Sequence, residues 1–60
     1  MDLVVGARYQ MQTTNGLITG DFVSSDGINS TFNHWFSDSE SATTNLDITD
    51  TNVTSLNRIS

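Results

Sequence analysis

The sequence contains no cysteine and no proline, and lysine is also missing. Without cysteine the chain can form neither a disulfide nor a thiolate metal site. His34 is the only histidine, so a structural zinc site would also lack a second nitrogen ligand. Without proline, no residue loses the backbone N–H that strand pairing requires. A 60-residue chain of this kind must be stabilised by tight packing and by self-association.

Basic residues are nearly absent, because Arg8 and Arg58 stand against seven acids and the formal net charge is −5. Neutralisation of phosphates by lysine and arginine supplies most of the general affinity of proteins for nucleic acids. The composition therefore excludes a protein that binds nucleic acid mainly by charge, and an anionic membrane surface would repel it. Any nucleic-acid binding is expected to come from base stacking, hydrogen bonds and loop amides.

Long apolar segments are absent as well. The run Leu3-Val4-Val5 is too short for the apolar part of a signal peptide and no basic residue precedes it. No apolar run approaches the roughly 20 residues that span a bilayer. We expect a soluble, cytoplasmic protein without membrane contact.

No constellation of side chains indicates catalysis. Asp38 and Glu40 form a pair of acids, but their polar surroundings offer no burial that would shift a pKa, so we expect a solvated turn. No nucleophile elbow and no phosphate-binding glycine loop is found. We therefore expect no enzyme activity, no cofactor and no bound metal.

Residues that favour strands dominate the chain. Ser, Thr and Asn supply 23 of the 60 residues, and strong helix formers are scarce. Alternation of apolar and polar residues predicts five strands, over residues 8–13, 17–24, 30–36, 43–49 and 52–56. Asn15-Gly16 predicts a tight hairpin, and Gly20 in mid-strand predicts a sharp bend. We predict one domain over residues 1–60, an all-β, strongly bent antiparallel barrel, with a short turn or extended arm over residues 1–6.

The aromatic residues are concentrated in the third predicted strand. Strict alternation places Phe32 and Phe36 on one face, with His34 between them, and Trp35 on the other. We expect Phe32 and Phe36 to lie in the core. For Trp35 we expect a place in the core or a subunit interface, with a stacking platform for a single-stranded base as the alternative.

Two segments resemble the two motifs of the Sm/LSm family of small β-barrels. In the first, Gly20 to Asp26 keeps the spacing of Gly, apolar residue and Asp, and Asn29 follows one residue earlier than is usual. In the second, Ile48 to Val53 keeps the apolar frame, with Thr49 where Arg is usual and Asp50 where Gly is usual. The resemblance covers about residues 9–56 and extends to small Sm-like proteins of cyanophage origin.

The resemblance implies a barrel of the Sm-like or SH3-like type that forms a homo-oligomeric ring by pairing edge strands. Such rings hold single-stranded RNA, or DNA, and act in nucleic-acid processing. Asp26 would orient Asn29 to bond a base edge, and Thr49 and Asp50 would complete the site. Thr49 lacks the charge and the stacking surface of the usual arginine, and Asp50 places an anion beside the RNA. A phage-encoded protein would work in the host cytoplasm.

An alternative is an acidic oligomeric adaptor, or a phage accessory or assembly protein, that binds no nucleic acid. The net charge of −5 favours this alternative, whereas the spacing of Asp26 and Asn29 favours RNA binding. The segment 43–57 also resembles one coil of a β-solenoid. Because a solenoid needs about three repeats to bury its core and the chain contains no repeat, we set this interpretation aside.

Overall fold

The computed structural model describes residues 2–60 and shows an all-β chain in which a 3₁₀ turn is the only helical element of that range. The strands are β1 (Arg8–Thr13), β2 (Gly16–Ser25), β3 (Asn29–Ser37), β4 (Ser41–Ala42), β5 (Leu46–Thr49) and β6 (Val53–Arg58), with the 3₁₀ turn at Asp50–Asn52. The predicted all-β fold is confirmed. No helix within residues 2–60 is long and apolar enough to cross a membrane.

The strands form one antiparallel sheet in the order β4-β3-β2-β1-β6, and β5 also pairs with β3. Strand β3 thus pairs with β5 along residues 29–32 and with β4 at residues 35–36. Within the described range no ladder joins β5 to β6, which are connected only through the 3₁₀ turn. The sheet is therefore barrel-like but open, and it has six strands where five were predicted.

Among the five predicted strands, the one over residues 43–49 differs most from the structure. It begins only at Leu46, and the preceding pair Ser41–Ala42 forms the separate strand β4. A tight hairpin forms at the predicted place, but its two turn residues are Thr14 and Asn15. Gly16, at a φ of 114°, is the first residue of β2, and Asn15 does not have the positive φ that an Asn-Gly turn predicts. Thr13 reinforces the hairpin, since its Oγ1 accepts from the Asn15 N–H at 3.1 Å and donates to the Gly16 carbonyl at 2.9 Å.

The core is built on strands β1, β2, β3 and β5 together with Ala7. Phe22 and Phe32 meet edge to face there, with ring centroids 5.6 Å apart and planes inclined at 68°. Each such aromatic pair adds about 0.5–1.5 kcal/mol beyond the burial of its area. The other buried apolar residues are Ala7, Tyr9, Met11 and Ile48, with Leu3, Ile18, Leu46 and Val53 packed against them.

A β-bulge in β3 corrects one prediction. Thr19 pairs with Phe36 and Asp21 with Asn33, so two residues, His34 and Trp35, lie opposite the single residue Gly20. The extra residue interrupts strict alternation beyond Asn33. Phe32 is fully buried as predicted, but Phe36 faces outward and is 45% exposed. The prediction that Phe36 lies in the core is wrong for this reason.

The N-terminal segment lies against β2 as an arm that ends in a turn. The Ala7 N–H donates to the Val4 carbonyl at 3.1 Å, and the Gly6 N–H donates to the Phe22 carbonyl at 2.9 Å. The Val4 N–H donates to the Tyr9 hydroxyl at 3.0 Å. The predicted short turn is thus present at residues 4–7, while the part of the prediction that concerns Met1 lies outside the described residues.

Candidate nucleic-acid interface

The loop between β2 and β3 is organised by the carboxylate of Asp26. Its Oδ1 accepts the N–H of Ile28 at 2.8 Å and the N–H of Asn29 at 2.7 Å. The Asp26 N–H in turn donates to the Asn29 carbonyl at 3.1 Å. The bonds from Asn29 and Ile28 stabilise the charged form and hold the pKa of Asp26 below its ordinary value. Asp26 therefore orients the backbone of Asn29.

The side chain of Asn29 is held from the opposite side by β5. Asn29 pairs in register with Thr49, and the Thr49 hydroxyl donates to Asn29 Oδ1 at 3.0 Å. Asn29 is half-buried, and its Nδ2 has no hydrogen-bond partner among residues 2–60. The amide group is thus fixed through its oxygen, while its two N–H donors remain available.

Asp50 connects the same loop to the 3₁₀ turn. Its N–H donates to the Ile28 carbonyl at 2.9 Å, and its carboxylate Oδ1 accepts the Ser30 hydroxyl at 2.6 Å. Ser30 is fully buried, so this bond satisfies a hydroxyl that would otherwise be costly to bury. Asp50 therefore fastens β3 to the end of β5, which is a structural role that the sequence did not indicate.

The structure brings all four predicted site residues together at one end of the sheet, which we call the loop end: Asp26, Asn29, Thr49 and Asp50. A further acid, Asp47, lies two register positions along β5 from Thr49 and accepts the Thr31 hydroxyl at 2.7 Å. The loop end thus offers an amide, a hydroxyl and carboxylates. These groups can bond the edge of a nucleobase, but they cannot neutralise a phosphate.

The two arginines are engaged elsewhere. Arg8 Nε donates to Asp21 Oδ1 at 2.8 Å, and Arg58 Nε donates to the Ser60 carbonyl at 3.2 Å. Residues 2–60 contain no group of three or more His, Cys, Asp and Glu side chains that could hold a metal ion.

The turn that carries Asp38 and Glu40 is built on Ser37. Ser37 Oγ accepts the N–H of Ser39 at 3.4 Å and of Glu40 at 3.3 Å, and the Ser37 N–H donates to the Glu40 carbonyl at 2.8 Å. Both acids are exposed, which agrees with the solvated turn that was predicted.

Sequence reasoning missed a second group of side chains, on the outward face of the sheet. Arg8, Asp21, His34 and Phe36 meet there because of the bulge. Trp35 is half-buried beside them, and its Nε1 is buried without a hydrogen-bond partner among the described residues. Only the unusual Gly20 in mid-strand hinted at this irregularity in the sequence.

Comparison with known proteins gives no match: no protein family, no curated protein and no solved structure matches this chain.

Proposed function

We propose that this chain is an Sm-like, ring-forming protein that binds single-stranded RNA, or DNA, at the loop end and catalyses no reaction. The observation that carries the proposal is the state of Asn29. Asp26 fixes its backbone, Thr49 fixes its side-chain oxygen, and its Nδ2 has no hydrogen-bond partner among residues 2–60. A preorganised amide of this kind binds an acceptor on a base edge without first losing its own conformational freedom.

The open sheet supports assembly. Strand β5 and strand β6 each pair on one side only within the described range. Strand β6 contains no proline and no lysine, the residues that commonly protect an edge, and Leu56 on it is 37% exposed. Pairing of β5 in one copy with β6 in the next is a head-to-tail contact, which forms a ring when the rotation closes. A ring would place the loop ends of all copies around one opening.

The net charge of the chain determines how the affinity for nucleic acid should depend on salt. With a net charge of −5 and no lysine, few phosphates can be neutralised. Affinity would come from base contacts, and its dependence on salt would be shallow, because the slope grows with the number of neutralised phosphates. The working compartment in this proposal is the cytoplasm, that of the host if a phage encodes the protein.

The test replaces Asn29 with Asp. This change keeps an oxygen that accepts the Thr49 hydroxyl and removes the free N–H donors. Asn45→Asp is the matched control, since it adds the same charge at an exposed position outside the loop-end contacts. Affinity is measured by fluorescence anisotropy with labelled oligouridylate and oligoadenylate at low salt.

We expect Asn29→Asp to weaken binding about tenfold, the cost of one lost hydrogen bond and one unsatisfied polar group. Asn45→Asp should change it little. Equal effects of the two variants would show that charge alone matters and that Asn29 does not read a base. Circular dichroism of both variants confirms that the fold is intact.

A second candidate is the acidic oligomeric adaptor. It is favoured by the three acids, Asp26, Asp47 and Asp50, that the fold collects at the loop end. Light scattering and the same binding assay separate the two proposals. A defined oligomer that binds no oligonucleotide at low salt indicates the adaptor, whereas a monomer contradicts ring formation in both proposals.

A further inference from the structure

The outward face of the sheet carries an aromatic ring that the fold does not bury. Phe36 is 45% exposed and lies opposite Thr19, which is only 3% exposed. An exposed phenylalanine on a sheet gives up much of the roughly 1.5–3 kcal/mol that burial of such a side chain provides. Its position is imposed by the bulge at His34 and Trp35, where His34 adopts a φ of 46°. A left-handed histidine in mid-strand is uncommon and costly.

A fixed cation lies over one face of this ring. The Arg8 guanidinium carbon is 5.9 Å from the centroid of Phe36. Asp21 holds the guanidinium in place, with Nε to Oδ1 at 2.8 Å and Nη2 to Oδ2 at 3.4 Å. His34 completes the group, with its Nδ1 at 4.0 Å from Asp21 Oδ2 and at 3.1 Å from Asn33 Oδ1.

A shallow open cleft of about 410 Å³ adjoins the ring. It is lined by His34, Trp35, Phe36, Ser41, Ala42 and Thr43, between the end of β3 and strand β4. The cleft extends the exposed aromatic surface from β3 toward β4. Together these features form a site with an exposed aromatic ring, a guanidinium over one face of that ring and an imidazole near the same carboxylate.

We propose that this outward site, centred on Phe36 and Arg8, is a second contact for single-stranded nucleic acid, where one base stacks on the face of Phe36 that the Arg8 guanidinium does not cover. A nucleotide supplies both things that the site complements, a π-face for the ring and a phosphate for the guanidinium. Arg8 is one of only two cations in the chain. The positive charge of Arg8 offsets the negative charge of Asp21. A phosphate is therefore repelled less at this site than at the loop end, where the charged side chains are carboxylates.

The proposal goes beyond base contact by Asn29 and does not need it. Asn29 and Phe36 lie on the same strand, β3, seven residues apart. At about 3.3 Å per residue this separation is about 23 Å, shortened by the bulge. A single strand of a few nucleotides can therefore reach from one site to the other, and either site can also act alone.

The test uses Phe36→Leu and Phe36→Tyr. Leucine keeps an apolar cover over Thr19 but has no π-face, whereas tyrosine keeps the ring. Leu17→Ala is the control, because Leu17 is 40% exposed and belongs to the same outward face, opposite Gln12. The probes are labelled oligouridylate and oligoadenylate of about eight nucleotides, at low salt, with anisotropy and Trp35 emission as readouts.

We expect Phe36→Leu to weaken binding about 5- to 150-fold, the range for one lost stacked base, while Phe36→Tyr and Leu17→Ala bind as the native chain does. Equal affinity of the leucine and tyrosine variants overturns the proposal. A change of oligomeric mass in Phe36→Leu, measured by light scattering, also overturns it and makes the site an interface between copies. If Asn29→Asp has no effect and Phe36→Leu does, the outward site stands and the loop-end site fails.

Discussion

Substitution of Gly20 by alanine tests the packing on which the bulge depends. Gly20 pairs with Tyr9 on β1 and faces the bulged residues of β3. A Cβ at this position would lie 3.1 Å from the Cβ of Phe32 and 3.2 Å from the Cβ of Trp35. Neither atom belongs to the flexible end of a side chain, so relief requires movement of the β3 backbone itself.

The expected magnitude follows from two opposing effects. Overpacking of a close contact costs about 1–3 kcal/mol. Replacing glycine by alanine lowers the entropy of the unfolded chain and returns about 0.4–1 kcal/mol. The net loss is therefore about 0.5–2 kcal/mol, from a total stability of about 3–9 kcal/mol for a chain of this length. Each kcal/mol lowers the Tm of a small domain by about 4–8 °C.

The assay is thermal and urea unfolding, followed by circular dichroism and by the emission of Trp35, the only tryptophan. Protomer concentration is held constant, because self-association adds to apparent stability. Ser24→Ala, at an exposed position of the same strand, controls for alanine in β2. A Gly20→Ala variant that is as stable as the native chain, or more stable, would refute the close-packing argument.

Two further predictions concern the loop and the core. Asp26→Ala should lower stability at neutral pH; because the folded pKa of Asp26 is depressed, its stabilisation is complete above about pH 4 and is lost as the pH falls through the lowered pKa. Urea unfolding between pH 7 and 2 should therefore show the native and variant curves converging in acid, and parallel curves would contradict the role of the Asp26 carboxylate. Phe32→Ala should cost about 3–5 kcal/mol and leave much of the chain unfolded by circular dichroism at 25 °C. Leu17→Ala, at an exposed site, should cost less than about 0.5 kcal/mol, and a stably folded Phe32→Ala would show that the core is held by other contacts.

The local features of the fold could be predicted from the sequence. The presence of a tight hairpin between β1 and β2 and the alternation in β1 depend on neighbouring residues only, although the turn falls one residue earlier than Asn15-Gly16 predicts. The closeness of Asp26 and Asn29 follows likewise from a three-residue separation within one turn. In contrast, the contact of Asn29 with Thr49 depends on pairing between β3 and β5, which are distant in the chain, and only the resemblance to a known family suggested it.

The bulge and the split of the fourth predicted strand could not be predicted. Histidine at position 34 gives no signal for a left-handed conformation, for which glycine or asparagine is usual. Thr43 and Thr44 favour strands by propensity, yet they lie in the link between β4 and β5. In both cases tertiary pairing with β3 overrides local preference, and the site around Phe36 was missed as a result.

The bulge also makes position 34 a natural place for a difference in chain length. His34 and Trp35 together lie opposite the single residue Gly20. In a chain that lacked residue 34, every later residue of β3 would therefore keep its pairing partner in β2 and stay on the same face of the sheet. Phe36 would still pair with Thr19 and face outward, and the left-handed residue would be gone. An alignment of any shorter homologue should therefore open its gap here, with both aromatic residues aligned across it.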